Sequence, residues 1–253
     1  MATRTIYQFY AELCEYTPKI WRRFQTADSI SMARLGYIIM TMFEMQASHL
    51  FRFDVPFMDN LIKAVLKDKP IKDLPGDFDI KSLFSPEDKN WRVEIIDENS
   101  FDYYEPQEEK FVDAIQTTVS RVITNPGDVM TFSYDYGDGW TISIVLEEIT
   151  RKSELPAKEL PRVLEGEGYG IIEDCGGPYG LEELAAEFKK KKGPRYQELR
   201  EWMGIDSLDL SAFDIDDMNF RLKKVPRIYA DIYEYDLEPT KRSWDILTRK
   251  YLQ

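Results

Sequence analysis

Residues 130–148 read MTFSYDYGDGWTISIVLEE, and the fold turns on them. Apolar and polar side chains alternate from Met130 to Tyr136 and again from Trp140 to Glu148, the period of a strand with one face buried. Between the two runs stand Gly137, Asp138 and Gly139. Glycine beside aspartate supplies the positive φ that a tight reversal demands, so the two runs form an antiparallel hairpin.

Toward the N-terminus, Tyr7, Phe9, Ala11 and Leu13 alternate with Gln8, Tyr10 and Glu12, which predicts a half-buried strand. Thr17-Pro18 breaks it, and Ile20 to Phe24 reads as a second extended segment. Ser31 is placed to cap a helix whose apolar face is Met32, Leu35, Ile38, Ile39, Met42 and Phe43. His49, Phe51 and Phe53 alternate again. Residues 54–110 are less regular: Phe57 to Leu66 reads as helix and Trp91 to Ile96 as strand, among several prolines and an acidic stretch from Asp97 to Glu109. This segment is an elaboration on the core with at least one long loop. A short helix through Val119 and Val122 then ends at Asn125-Pro126-Gly127. Beyond the hairpin, Glu173 to Gly180 forms a rigid loop feeding a helix from Leu181 to Lys191, and Gly193-Pro194 stops that helix. A second helix follows from Tyr196 to Met203, and Asp214 to Asp217 caps another through Leu222. The expectation is one α+β domain over residues 1–225, with 54–110 inserted and 226–253 as an aromatic, acidic extension packed on the core.

The 253 residues carry 33 basic and 46 acidic side chains, a formal net charge of −13. A field of that sign repels phosphate backbones and anionic membranes before contact, which speaks against direct nucleic-acid or membrane binding. Acidity of this kind serves solubility; it also suits a surface that imitates nucleic acid and occupies the basic groove of a nucleic-acid enzyme. No run of about 18 uncharged apolar residues is present. Met1-Ala2-Thr3-Arg4 enters the strand pattern at once, leaving no room for a signal peptide. Cys14 and Cys175 stand far apart outside any paired motif, which fits free thiols in a reducing cytoplasm.

Four stretches, taken in order, resemble the plasmid pRiA4b ORF-3-like family, an insertion-element passenger family. They are Ile20-Trp21-Arg22-Arg23-Phe24, His49-Leu50-Phe51-Arg52-Phe53, Tyr134 to Trp140, and Glu173 to Gly180. Glu201 to Gly204 and Phe213 to Asn219 add to the likeness. The resemblance implies a mixed or antiparallel sheet with helices packed on it, and a setting in plasmids, transposons and phages. It implies little about activity. Phe51 and Ile142 stand where the family shows further histidines, and Ile171-Ile172 replaces a proline pair, so any site built on several histidines reduces here to His49.

His49, Asp135, Asp138, Glu173, Asp174 and Cys175 are the residues that the family motifs could bring together, and Zn²⁺ accepts such a mixed set of ligands. The plainer reading has Asp135 and Asp138 capping the hairpin turn, Glu173 and Asp174 bonded to backbone amides, and His49 satisfied in the core. With a single histidine, a catalytic triad would run through His49 or not exist, and no Gly-x-Ser-x-Gly elbow occurs. A metal-dependent hydrolase using Asp135, Asp138 and His49 is the alternative to a protein without catalysis. Glu173 and Asp174 would repel a phosphate from the Gly176-Gly177-Pro178-Tyr179-Gly180 loop. Arg22 and Arg23 are expected to pack on aromatic rings and meet carboxylates. Lys189 to Lys192 suits a solvated helix end.

Two acidic, tyrosine-bearing segments stand outside the family-like core and are candidate contacts with a basic protein. One holds Asp97, Glu98, Asp102, Tyr103, Tyr104, Glu108 and Glu109; the other holds Asp231, Tyr233, Glu234, Tyr235 and Asp236. The sequence thus reads as a mobile-element accessory protein that binds, and inhibits, a nucleic-acid-handling or defence enzyme such as a CRISPR effector.

Overall fold

The computed structural model describes residues 3–66, 89–96 and 109–249. Its strands are β1 (Arg4–Leu13), β2 (Trp21–Ala27), β3 (Phe51–Val55), β4 (Asn90–Glu94), β5 (Glu109–Asp113), β6 (Val129–Tyr134), β7 (Trp140–Ser153) and β8 (Arg162–Glu167). They form one sheet in the order β5-β4-β3-β6-β7-β1-β2-β8. Neighbours run antiparallel except β4 and β5, which are parallel, so the sheet is mixed. The hairpin expected from residues 130–148 is β6–β7, with Tyr134 opposite Trp140.

Alternation decides the faces. Phe9, Ala11 and Leu13 of β1, Phe24 of β2, Phe53 of β3, Phe132 of β6 and Ile142, Ile144 and Leu146 of β7 all point into one core. The opposite face is polar. There Arg23 grips Glu147 through Nε (2.7 Å) and Nη2 (2.9 Å), also meets Glu165, and lies by the rings of Tyr10 and Trp21.

The core face is covered by α1 (Met32–Met42), which Ser31 caps by accepting from the Arg34 amide at 3.1 Å. Nearly every residue of α1 is buried, because the sheet lies on one side and two later helices on the other. Those are α6 (Ile215–Leu222) and α7 (Val225–Tyr235). Gly36 makes the helix–sheet approach possible: a Cβ there would stand 2.6 Å from the Phe51 ring. Of the remaining helices, α2 (Phe57–Leu66) packs by β4, and the short α3 is Val119–Val122. A hairpin of α4 (Gly177–Lys190) and α5 (Pro194–Met203) closes on its own small cluster of Leu184, Phe188 and Leu199. The chain then reaches α8 (Lys241–Leu247).

Three expectations change. Glu109, placed in a loop by the sequence, opens strand β5 in register with Asn90. Residues 162–167, given no element, form the edge strand β8; Asn219 of α6 blocks its free edge by accepting from the Val163 amide (2.8 Å) and donating to its carbonyl (3.1 Å). Among the described residues, Arg22 meets no carboxylate within ion-pair distance. It is fully buried, and its guanidinium donates to four backbone carbonyls: Trp21 (2.8 Å), Glu167 (2.6 Å), Gly168 (2.7 Å) and Tyr169 (2.8 Å). The Phe213 ring faces it at 4.1 Å. One side chain thereby ties β2 to the turn after β8.

The carboxylate that meets buried arginine is Glu44, just after α1. Arg221 reaches it at 2.8 Å; Arg249 reaches it through Nη2 (2.6 Å) and Nε (3.0 Å) and also pairs with Asp217. The network joins the end of α1 to α6 and to the segment after α8. In α7, Tyr229 donates to the Met45 carbonyl at 2.5 Å, and the Tyr233 ring stacks on Tyr37 at 5.8 Å.

Candidate functional site

The β6–β7 turn carries two of the six candidate residues, Asp135 and Asp138. Asp135 leaves β6 with φ +53°, a region aspartate tolerates better than most side chains. Its Oδ1 accepts from the amides of Gly137 (3.0 Å) and Asp138 (3.4 Å), and its carbonyl accepts from the Gly139 amide at 2.7 Å. Gly139 completes the reversal at φ +71°. The loop is thus five residues wide and pinned by Asp135. The Asp135 amide donates to the Leu50 carbonyl at 3.1 Å, which binds the turn to the segment entering β3.

That segment presents His49. Its Nε2 lies 3.4 Å from Asp135 Oδ2 and 3.8 Å from Asp174 Oδ1, and the imidazole stands edge-on to the Tyr134 ring at 5.6 Å. Nε2 is buried and, among the described residues, has no hydrogen-bond partner. Tyr233 holds the same residue from behind by donating to the His49 carbonyl.

The loop before α4 arrives from the other side. Asp138 Oδ2 accepts from the Gly176 amide at 3.2 Å. Gly177, at φ +71°, passes so near the Asp138 carbonyl that a Cβ would stand 2.2 Å from it; only glycine fits this crossing. Asp174 takes a left-handed conformation (φ +60°) and points to solvent, with 75% of its side chain exposed. Ala47, two residues before His49, is left-handed as well (φ +62°). Each of the three chain segments that meet here thus has a left-handed residue: Ala47, Asp135 and Asp174.

His49, Asp135 and Asp174 come together, and Asp138 stands beside them. Glu173 does not join them. It turns into the protein, where it accepts from the Gln46 amide (2.6 Å), the Ser48 hydroxyl (2.8 Å) and the Tyr134 hydroxyl (2.5 Å). Cys175 directs its sulfur to the Gly177 carbonyl at 3.6 Å. Burial, with Asp138 adding to it, pushes this thiol up to about 12, so at neutral pH it remains protonated and is a poor nucleophile. Among the described residues, no group of three or more histidine, cysteine, aspartate or glutamate side chains is arranged to hold a metal ion.

Two cavities of about 240 Å³ each flank the cluster. One touches Asp135 and is lined by Arg52, Tyr136, Trp140 and Thr141; the other touches Asp174 and runs between α4 and α5. Leu50, Tyr136 and Tyr179 are exposed large apolar residues of the same converging segments. The exposure of Leu50 follows from strand alternation, since its neighbour Phe51 is buried; the outward Tyr179 has no comparable signal.

The acidic additions fare differently. Asp97, Glu98, Asp102, Tyr103, Tyr104 and Glu108 lie outside the described residues. Asp231 and Glu234 are half-buried on α7, and Tyr235 and Asp236 are exposed at its end. Tyr233 is engaged internally, through its ring and its hydroxyl. Among the described residues, no helix is long and apolar enough to cross a membrane.

The chain resembles a solved structure, a protein of unknown function, MM3350, from Methanosarcina mazei Go1. The two share 21% identity at a TM-score of 0.62, over 85% of this chain and 98% of that one, which shows a common fold. It is also 30% identical over 109 residues to the uncharacterized protein y4hQ of Sinorhizobium fredii (strain NBRC 101917 / NGR234), over 43% of this chain. The match spans about half, 55%, of that relative's length. Residues 5–221 match the family described as plasmid pRiA4b ORF-3-like protein, and the chain belongs to that family.

Proposed function

We propose that this protein is a non-catalytic accessory factor that binds, and thereby inhibits, a nucleic-acid-handling or defence enzyme such as a CRISPR effector. The observation that carries the reading is the composition of the hairpin-end face. Asp135 and Asp174 lie 3.4 and 3.8 Å from one imidazole, with Asp138 on the adjoining turn, next to exposed Leu50, Tyr136 and Tyr179, on a chain of net charge −13. Interfaces draw on exposed aromatic and aliphatic anchors, and complementary charge steers the encounter. An enzyme that grips nucleic acid offers the basic groove such a face would enter.

A metal-dependent hydrolase is the second reading. It is favoured by the buried, unpartnered Nε2 of His49 at 3.4 Å from Asp135. The two readings separate on binding without turnover. The test is the affinity of the purified chain for a panel of purified CRISPR effectors, measured at about 50 mM and about 300 mM salt. The expected result is tight association with at least one effector, weakened tenfold or more at the higher salt and competed by that effector's nucleic acid. Absence of binding across the panel, or binding indifferent to salt, overturns the proposal.

A further inference from the structure

The cleft between α4 and α5 is a site the hairpin-end face does not by itself explain. Buried Leu199 and half-exposed Trp202 line it, together with Asp174, Glu183, Glu198 and Arg195. α5 buries Leu199 alone, so a tryptophan left 49% exposed on this helix is not there to complete the core. Pockets for drug-sized ligands and cofactors measure about 300–1,000 Å³. At about 240 Å³ the cleft is smaller and suits a single long side chain.

The rim states the charge of that side chain. Three carboxylates against one guanidinium leave the cleft with two net negative charges. Arg195 shows that guanidinium geometry fits: it meets Glu183 through Nε (2.9 Å) and Nη2 (3.0 Å), and Glu198 at 2.9 Å. Asp174, the most exposed of the carboxylates near His49, lines the cleft as well and so belongs to both surfaces.

We infer that this cleft receives an arginine side chain of the protein partner, its guanidinium plane stacked on Trp202 and its N–H groups donating to Asp174, the rim carboxylate that Arg195 does not hold. Arginine is favoured over lysine because a planar, weakly hydrated cation both stacks on an indole and forks onto carboxylates. The inference rests on the reading of the protein as an acidic binder and adds where, and through which side chain, the partner is held.

The test uses the full chain and a capped pentapeptide, Gly-Gly-Arg-Gly-Gly, with its isosteric, uncharged citrulline counterpart as control. The five tryptophan indole N–H signals are followed by NMR, and that of Trp202 is identified by its loss in Trp202→Phe. The expected result is a saturable shift of the Trp202 signal with the arginine peptide and none with citrulline. In Trp202→Ala, affinity followed on cleft backbone amides should fall about tenfold, with the other four indoles unmoved as a check on folding. An unmoved Trp202 signal, or equal binding by the two peptides or by the alanine variant, overturns the inference. The outcomes separate cleanly: salt-sensitive effector binding without the Trp202 effect removes the cleft alone, and arginine binding without effector binding removes the broader reading alone.

Discussion

Replacing Arg22 with methionine is expected to lower stability by about 4 kcal/mol, seen as a reduced urea midpoint with an unchanged slope. The estimate follows from what remains after the guanidinium leaves. Methionine fills much of the space of the stem, but the cation over the Phe43 and Phe213 rings is lost, and the carbonyls of Trp21, Glu167, Gly168 and Tyr169 lose a donor inside the protein. Each such loss costs about 1 kcal/mol. One term opposes this, since removing a buried cation recovers its desolvation penalty. That recovery dominates only when all polar partners are replaced together, and here four remain. Arg22→Lys keeps the charge, yet a single ammonium cannot serve two pairs of carbonyls, so about half the loss is expected. A methionine variant as stable as the parent would show that the four hydrogen bonds contribute nothing net.

Glu44→Gln is expected to cost about 3–5 kcal/mol, because it strands the charge of Arg221. Arg221 is fully exposed to the consequence: its side chain has no contact with water, and Glu44 is the carboxylate at 2.8 Å. Arg249 suffers less, since it keeps Asp217. This makes a sharper test than a single variant. Adding Arg221→Met to Glu44→Gln should restore part of the stability, as the uncompensated charge goes with it. A double-mutant cycle by chemical denaturation reads the coupling directly. Simple additivity of the two losses would contradict the network as described.

How much of this was legible beforehand depended on whether the signal was local. The β6–β7 hairpin, the capped α1 and the α4–α5 pair are written in short-range period, cap and breaker residues, and they stand close to where those residues place them. The edge strands are not. β8 buries Val163 alone, and its edge is sealed by Asn219 from 56 residues away, so nothing within 162–167 announces a strand. β5 has no fully buried residue. In the site, the convergence of His49, Asp135 and Asp174 was anticipated only through the ordered motifs of the family. The inward turn of Glu173 was out of reach, because its acceptors' partners come from Gln46, Ser48 and Tyr134 in two other segments. Tyr233 is a different case. Ile228, Tyr229, Ile232 and Tyr233 follow helical spacing, and that period points the ring inward despite the acidity of the tail.

The central claim is that one particular face, and not net charge alone, meets the partner. The direct measurement compares Asp174→Lys with Glu154→Lys in binding to the same CRISPR effector. Each substitution changes the net charge equally, but Asp174 sits at the hairpin end beside His49, whereas Glu154 is exposed just beyond the far end of β7. The account predicts that Asp174→Lys weakens binding tenfold or more while Glu154→Lys changes it less than about twofold. Equal losses from the two substitutions would mean that the acidity acts as a diffuse field, and would contradict a binding face at the end of the sheet.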